Sequence, residues 1–218
     1  MPVVGTEAGK RRPGRPRSEK SRRAILAAAA ELLQERPLSE ISMDAVAERA
    51  GASKATIYRW WPSKELLALD AMFSDWESPL PEDIDRGSLR EDLRALMLPW
   101  VRRLLSAPYG RVVAALTVEL HSDAELLEAW QTRFVGPRRA PGRSAFERAA
   151  ARGEIAAETD IELALDMLYG PIYHRLLNLH QPLDERFVGA VVDGVLAAVG
   201  ANTERVAGSP GVHAGRHR

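Results

Sequence analysis

The chain of 218 residues contains no cysteine, which excludes a disulfide framework and any thiolate metal site. No apolar run approaches the ~20 residues that a membrane-spanning helix needs. The basic N-terminus also lacks the apolar core of a secretion signal. A soluble cytoplasmic protein with no membrane partner is expected. Enzyme signatures are missing too: there is no nucleophile elbow, no phosphate-cradling glycine loop and no His-Glu-x-x-His. His121, His174 and His180 have no metal-ligand company, and Glu119 and His121, two residues apart, point to different faces of a helix. No catalytic residue, metal or cofactor is therefore expected. Strand signals are absent as well, with no alternating β-branched run between hairpin turns, no internal repeat and no coiled-coil heptad.

What the chain does have is an uneven distribution of charge. Thirty Lys and Arg balance thirty Asp and Glu overall. Residues 1–24, however, carry eight basic side chains against Glu7 and Glu19, whereas residues 65–218 carry 17 basic against 23 acidic. A basic head on an acidic body points to a polyanion met by one end. The opening "MPVVGTEAGKRRPGRPRSEK" has three prolines, three glycines and no apolar periodicity. Residues 1–17 are accordingly read as a disordered basic arm, and 201–218 as a disordered tail poor in core formers.

Between them the pattern is helical. A first helix is predicted over 18–36, with Ile25, Ala28, Ala29, Leu32 and Leu33 on one face, and Pro37 ends it. Ser42 is placed to cap "MDAVAERA", and Gly51 to close it in the left-handed region. Ser53 caps a third short helix stopped by Pro62, and Ser63 a fourth, "KELLALDAMFSDW". The Pro- and Asp-rich "ESPLPEDIDRG" separates two domains, 18–78 and 79–200. In the second, Ser88 with Glu91, Ser122 with Glu125 and Thr159 with Glu162 have capping-box spacing. Helices are predicted there near 88–106, 111–120, 123–135, 143–152, 160–179 and 184–199. The fold class expected is all-α.

Residues 42–61 satisfy the demands of a helix-turn-helix. Two closely crossing short helices need a small inner residue, a turn tolerating positive φ, and a buried anchor midway along the second helix. Ala47, Gly51 and Ile57 supply these. Ser53, Lys54 and Thr56 then sit where such a helix meets base edges. Lys64 follows a helix N-terminus, where backbone N–H groups and an ammonium can share a phosphate oxygen. The plainer alternative is a three-helix bundle with a solvated polar face. Arg15 and Arg17, in Gly14-Arg15-Pro16-Arg17, suit a narrow minor groove, the alternative being a solvated charge run.

From "RRAILAAAAELL" through "ISMDAVAERAGASKATIYRWWPSKELLALDAM" the chain resembles the DNA-binding domain of TetR-family (AcrR-like) transcriptional regulators. Their turn is matched by Ala50-Gly51-Ala52-Ser53, their Leu-Tyr pair by Ile57-Tyr58, and their Ser-Lys-Glu by Ser63-Lys64-Glu65, while Trp61 replaces a phenylalanine. The resemblance implies that Ser42, Thr56, Tyr58 and Lys64 contact a double-stranded operator, with Trp61 packed and Trp60 half-exposed. It also implies a helical C-terminal domain with an effector pocket, of which "LYGPIYHRLL" looks like one recurrent type.

In that domain Pro99 and Gly170-Pro171 interrupt apolar helices and should kink them. Met97, Trp100, Trp130, Phe134, Tyr169, Tyr173 and His174 are the expected lining of a pocket for a hydrophobic or aromatic molecule, with Met167 nearby and His121 a further polar candidate. An ordinary core containing a few prolines is the plainer reading of the same residues. Near the C-terminus Phe187, Val191, Val195 and Val199 form one stripe, and Ala190, Gly194, Ala197 and Ala198 a second. A homodimer through Phe187, Val191, Gly194, Val195 and Ala198 is expected. The function anticipated is a nucleoid-associated repressor released from a palindromic operator by a small molecule, with the fourth helix as lever. The alternative is a helical DNA-binding module controlled by a protein partner, without a pocket.

Overall fold

The computed structural model describes residues 15–75 and 84–201, with the backbone alone described at 15–18 and 75. Among the described residues every regular element is helical. Contacts divide the chain into two units, 1–76 and 77–218.

The first unit contains α1 (Arg15–Glu35), a 3-10 turn (Leu38–Glu40), α2 (Met43–Ala50), α3 (Lys54–Tyr58) and α4 (Lys64–Asp75). Helix α1 starts three residues before its predicted position. Pro16 stands in its first turn, where a missing N–H breaks no intrahelical bond. The stripe Ile25, Ala28, Ala29, Leu32 and Leu33 is buried, and α1 packs on both α2 and α4. Val46, Ile57, Trp61, Leu67 and Met72 complete the core. The caps form where the sequence places them. Ser42 Oγ accepts from Ala45 N at 3.2 Å, Ser53 Oγ from Thr56 N at 3.2 Å, and Ser63 Oγ from Leu66 N at 3.3 Å.

The second unit contains α5 (Leu89–Leu105), α6 (Tyr109–Glu119), α7 (Ala124–Trp130), α8 (Gly136–Ala151), α9 (Ile161–Asn178) and α10 (Glu185–Ala198). Helix α5 packs on α6, α8 and α10, and α9 on α8 and α10. Two predicted caps shift by one residue. Asp123 and Asp160, rather than Ser122 and Thr159, accept from Leu126 N and Leu163 N, each at 3.0 Å. A carboxylate caps as well as a hydroxyl and also complements the helix dipole, so it wins the position.

A larger departure lies between α7 and α8, where the prolines and glycines of 136–142 predicted a break. Instead α7 passes through a π turn at Gln131–Val135 directly into α8. The N–H of Gly136 donates to Gln131 O, five residues back. Pro137 falls in the first turn of α8, where it costs no bond. Pro141 lies inside the helix, but burial of Arg138, Gly142, Ala145, Phe146 and Ala149 along one face outweighs its breaking tendency. Pro99 and Pro171 are likewise carried inside continuous helices α5 and α9.

The start of α5 is tied down by one buried and one half-buried acid group. Asp92 accepts from Arg86 N at 2.5 Å and faces Arg148 Nη2 at 3.4 Å, while Leu89 N donates to Glu154 Oε2 at 2.8 Å. These bonds satisfy N-terminal donors that the chain's own turn cannot.

Candidate DNA interface and effector cavity

Around the helix-turn-helix the backbone is closely determined. Gly51 adopts φ 60°, and Ala52 N donates to Ala47 O at 3.0 Å across the turn. Ile57 is fully buried and fixes α3 from beneath. Ser42, Ser53, Lys54 and Tyr58 are exposed and Thr56 is half-buried. Ser53 Oγ and Thr56 Oγ1 lie 2.8 Å apart, and Lys54 Nζ is 2.9 Å from Asp44 Oδ1. The hydrogen bond to Asp44 raises the Lys54 pKa above its ordinary value. Lys64 donates to Leu38 O at 3.2 Å, a tie across 26 residues that spacing along the chain does not reveal. The side chains of Arg15 and Arg17 lie outside the described residues, as does the rest of the predicted arm.

An aromatic and charged cluster holds the C-terminal end of α3. Trp61 is buried and donates through Nε1 to Asp70 Oδ2 at 2.9 Å, and Arg22 Nη2 reaches the same oxygen at 3.2 Å. The Arg22 guanidinium lies 5.7 Å from the Trp61 ring centre and 6.0 Å from that of Trp60, and Arg59 lies 5.9 Å from Trp60. Trp60 is 37% exposed. Beside the turn, Lys20 and Ser21 of α1 join Gly51, Ser53 and Thr56 around a polar recess of about 320 Å³. Lys20, Arg22 and Arg59 were not singled out from the sequence, because on an amphipathic helix a basic residue reads as ordinary solvated surface.

The second unit carries a partly open cavity of about 390 Å³. Thr117 of α6 and Trp130 and Val135 of the α7–π segment form one side. Arg138 and Arg139 of α8 and Asp166, Tyr169, Gly170 and Tyr173 of α9 form the other. Of the predicted lining, Trp130, Tyr169 and Tyr173 face the space. Met97, Trp100 and Phe134 are buried and outside the lining. Phe134 stacks on Trp130 at 4.1 Å, and Trp100 meets Tyr169 edge-on at 5.3 Å. His174 is exposed and sits against His180 instead. One residue beyond Tyr173, it is turned by about 100° around α9. His121 and Met167 are also exposed and outside the lining.

The polar half of the cavity escaped the sequence reading, since Arg138 and Arg139 lay in the predicted loop. Arg139 Nη1 is 2.6 Å from Asp166 and its Nη2 is 2.8 Å from Glu162. The hydrogen bonds from Arg139 and then Arg143 hold the Glu162 carboxyl below its ordinary pKa. Tyr169 donates to Arg138 O at 2.8 Å, and burial drives its phenol pKa well above the usual value. Among the described residues no group of three or more His, Asp or Glu could hold a metal. Nor is any described helix long and apolar enough to cross a membrane.

Comparison with known proteins fits this two-part arrangement. Residues 25–71 match the model described as bacterial regulatory proteins, tetR family, and residues 83–195 match a tetracyclin repressor-like C-terminal domain. The chain is 35% identical over 190 residues to the uncharacterized HTH-type transcriptional regulator YdeS of Bacillus subtilis, covering 87% of this chain and 95% of that one. It is 37% identical over 186 residues to the DNA-binding transcriptional repressor TetR of Mycobacteroides abscessus, covering 83% and 94%. The crystal structure of the TetR family transcription regulator SCO0332 superposes with a TM-score of 0.65 at 34% identity, over 83% of this chain and 98% of that one. The chain belongs to the TetR family. It is thus a helix-turn-helix transcriptional regulator and not an enzyme.

TetR-family membership makes the outer face of α9 and α10 relevant, and here the predicted stripes divide. Val191 and Val195 are buried with Val188, Val192 and Leu196 in the protomer's own core, as α10 packs on α5 and α9. These valines share one side of the helix, so the unit's core takes them first. Phe187 is half-buried, with the Arg175 guanidinium 3.3 Å from its ring centre. Ala190, Gly194, Ala197 and Ala198 remain exposed, as do Leu163, Met167 and Leu177 on α9.

Proposed function

We propose that this TetR-family protein is a homodimeric repressor that leaves a palindromic operator when a small hydrophobic or aromatic molecule enters the α6–α9 cavity. The observation that carries the reading is that cavity: its volume lies in the range of small-molecule sites, and its walls combine aromatic rings with a few convergent polar groups. The relative from Mycobacteroides abscessus, described as a DNA-binding transcriptional repressor, supports repression. On the DNA side, Ser53, Lys54, Thr56 and Tyr58 are the proposed groove and backbone contacts. Ser42, Lys64, Lys20 and, at the start of α1, Arg15 and Arg17 are assigned to phosphates and the minor groove.

Dimerisation is assigned to the exposed small-residue stripe of α10 with Leu163, Met167 and Leu177 of α9. A flat alanine and glycine face lets two helices approach closely, and the flanking large apolar side chains supply area. Two-fold symmetry then matches two α3 helices to half-sites about one DNA turn, roughly 34–36 Å, apart. Release demands that the effector bind the DNA-incompetent arrangement better, since equal affinity for both shifts nothing.

The test is selection of operator fragments from random duplex DNA, followed by titration of a small-molecule library against the complex. Enrichment of a palindrome and its release by a compound that also raises thermal stability are expected. Failure to enrich any sequence would refute operator binding. Operator binding that no stabilising compound weakens would refute effector control and favour a protein partner.

A further inference from the structure

We propose that Asp44 and Lys54 act together as one reading unit of the DNA face, an ion pair that recognises the major-groove edge of a G·C base pair. The proposal rests on the reading of the helix-turn-helix as an operator-binding surface. It adds to that reading a specificity-determining carboxylate and the base pair it selects.

The pair joins the two helices of the motif. Asp44 stands in the first turn of α2, and Lys54, ten residues on, opens α3. Nζ lies 2.9 Å from both carboxylate oxygens. The backbone beneath is fixed: Met43 and Val46 are buried under α2 and Ile57 under α3, while Gly51 in the left-handed region sets the turn between them. Ser53 Oγ and Thr56 Oγ1 bond each other, so neither competes for the ammonium. Both members of the pair are open to solvent, with side-chain exposures of 50% for Lys54 and 71% for Asp44. An ion pair so exposed contributes little to stability, and both groups are accessible to a partner.

A carboxylate on a face that meets DNA is repelled by the phosphates, so it weakens binding to all sequences unless it reaches a donor on a base. The major-groove edge of G·C supplies that donor. Guanine N7 and O6 are acceptors, and cytosine N4 beside them is a donor. An ammonium has three donors, and at least one is left free by Asp44 for N7 and O6. The adjoining carboxylate then accepts from N4. An A·T pair instead places the adenine N6 donor between N7 and O4, and its O4 lies beside the thymine methyl. Asp44 also keeps Lys54 from turning to a phosphate, a contact that would add affinity without sequence preference. Loss of this carboxylate therefore has a signature opposite to loss of an ordinary contact: tighter general binding with poorer discrimination.

The test is selection from random duplex DNA with the full-length unmutated protein and with Asp44→Ala, Asp44→Glu and Lys54→Met. Affinities are then measured on the selected operator and on a random duplex. The unmutated protein should enrich a G·C pair at one position of each half-site, and replacing it by A·T should cost roughly 5- to 150-fold in affinity. In Asp44→Ala that position alone should become degenerate. The freed ammonium should then take a phosphate, so random-duplex affinity rises roughly fivefold at about 0.15 M salt and the salt slope steepens by about one unit. Asp44→Glu, which restores an acceptor, should recover part of the preference. Lys54→Met should lose the preference without any gain on random duplex, and it serves if the alanine variant does not fold. The same motif from the unmutated protein and Asp44→Ala, or a changed position that is not G·C, overturns the inference and leaves operator binding intact. So does a change confined to the melting temperature, which is all that a carboxylate acting on the α2 dipole would produce. Failure of the unmutated protein to enrich any sequence overturns operator binding and the inference with it.

Discussion

Replacing Asp70 separates two forces that hold the end of α3. The Oδ2 atom accepts from the buried Trp61 indole at 2.9 Å and from Arg22 at 3.2 Å. Asp70→Leu removes both bonds. An indole N–H left buried without an acceptor costs about 1–3 kcal/mol. The Arg22 pair is partly in water, with side-chain exposures of 36% and 12%, so it is discounted to about 0.5–1 kcal/mol. Asp70→Asn keeps an acceptor for Trp61 and loses the ion pair with Arg22. Hydrogen exchange at residues 53–61 reads local opening directly. A loss of about 1.5–4 kcal/mol predicts exchange faster by roughly 10- to 900-fold in the leucine variant, against roughly 2- to 5-fold in the asparagine variant. Specific operator affinity should fall in the same order, since a loosened α3 pays an ordering cost on binding. If the two variants exchange alike, or the leucine variant opens less than about threefold faster, Asp70 does not hold the recognition helix and the reasoning fails.

Other outcomes follow from the second unit. Gly194→Glu should give a monomer by sedimentation with native helicity, whereas Val195→Asp, which buries a charge in the core, should unfold the protein. The neutral phenol of Tyr169 is favoured in the fold, so stability should be full below the ordinary tyrosine value of 10.0 and decline as pH rises beyond it. Tyr169→Phe should flatten that alkaline limb in urea melts taken across pH. Glu162 has the opposite sign: its lowered pKa contributes stability above 4.5 that is lost as pH falls through the folded value, and Glu162→Gln should weaken that acid limb. Gly110→Ala would place a Cβ 1.8 Å from Leu104 O, a backbone atom with nowhere to go, so a loss at or above about 3 kcal/mol is expected by denaturation.

The first unit was nearly readable from the chain because its determinants are local. Ser42, Gly51, Ser53 and Ser63 act within four residues of themselves, and a cap or a left-handed turn is written in neighbouring letters. The same holds for the buried stripe of α1. What escaped depends on distant partners: Lys64 on Leu38, Trp61 on Asp70, Leu89 on Glu154. The cavity was half legible. Its aromatic residues stood out on apolar helices, but Arg138 and Arg139 were hidden by the glycines and prolines around them. No local rule makes a proline-flanked arginine such as Arg138 buried; the packing of α8 between α5 and α9 does so. On α10, periodicity found two faces and could not say which one the protomer keeps for itself.

The π turn at Gln131–Val135 sets the phase of everything downstream on the same rod. A π turn amounts to one extra residue inserted into an α-helix. Removing one residue there, and so restoring α geometry, would rotate α8 by about 100° relative to α7. Arg138 and Arg139 would then swing away from the space they line, and Phe146 and Ala149 would leave the core. Relatives that differ by a single residue in this segment should therefore present a different set of side chains to the same cavity. A one-residue insertion thereby changes the side chains on one wall of the cavity without altering the wall formed by α9.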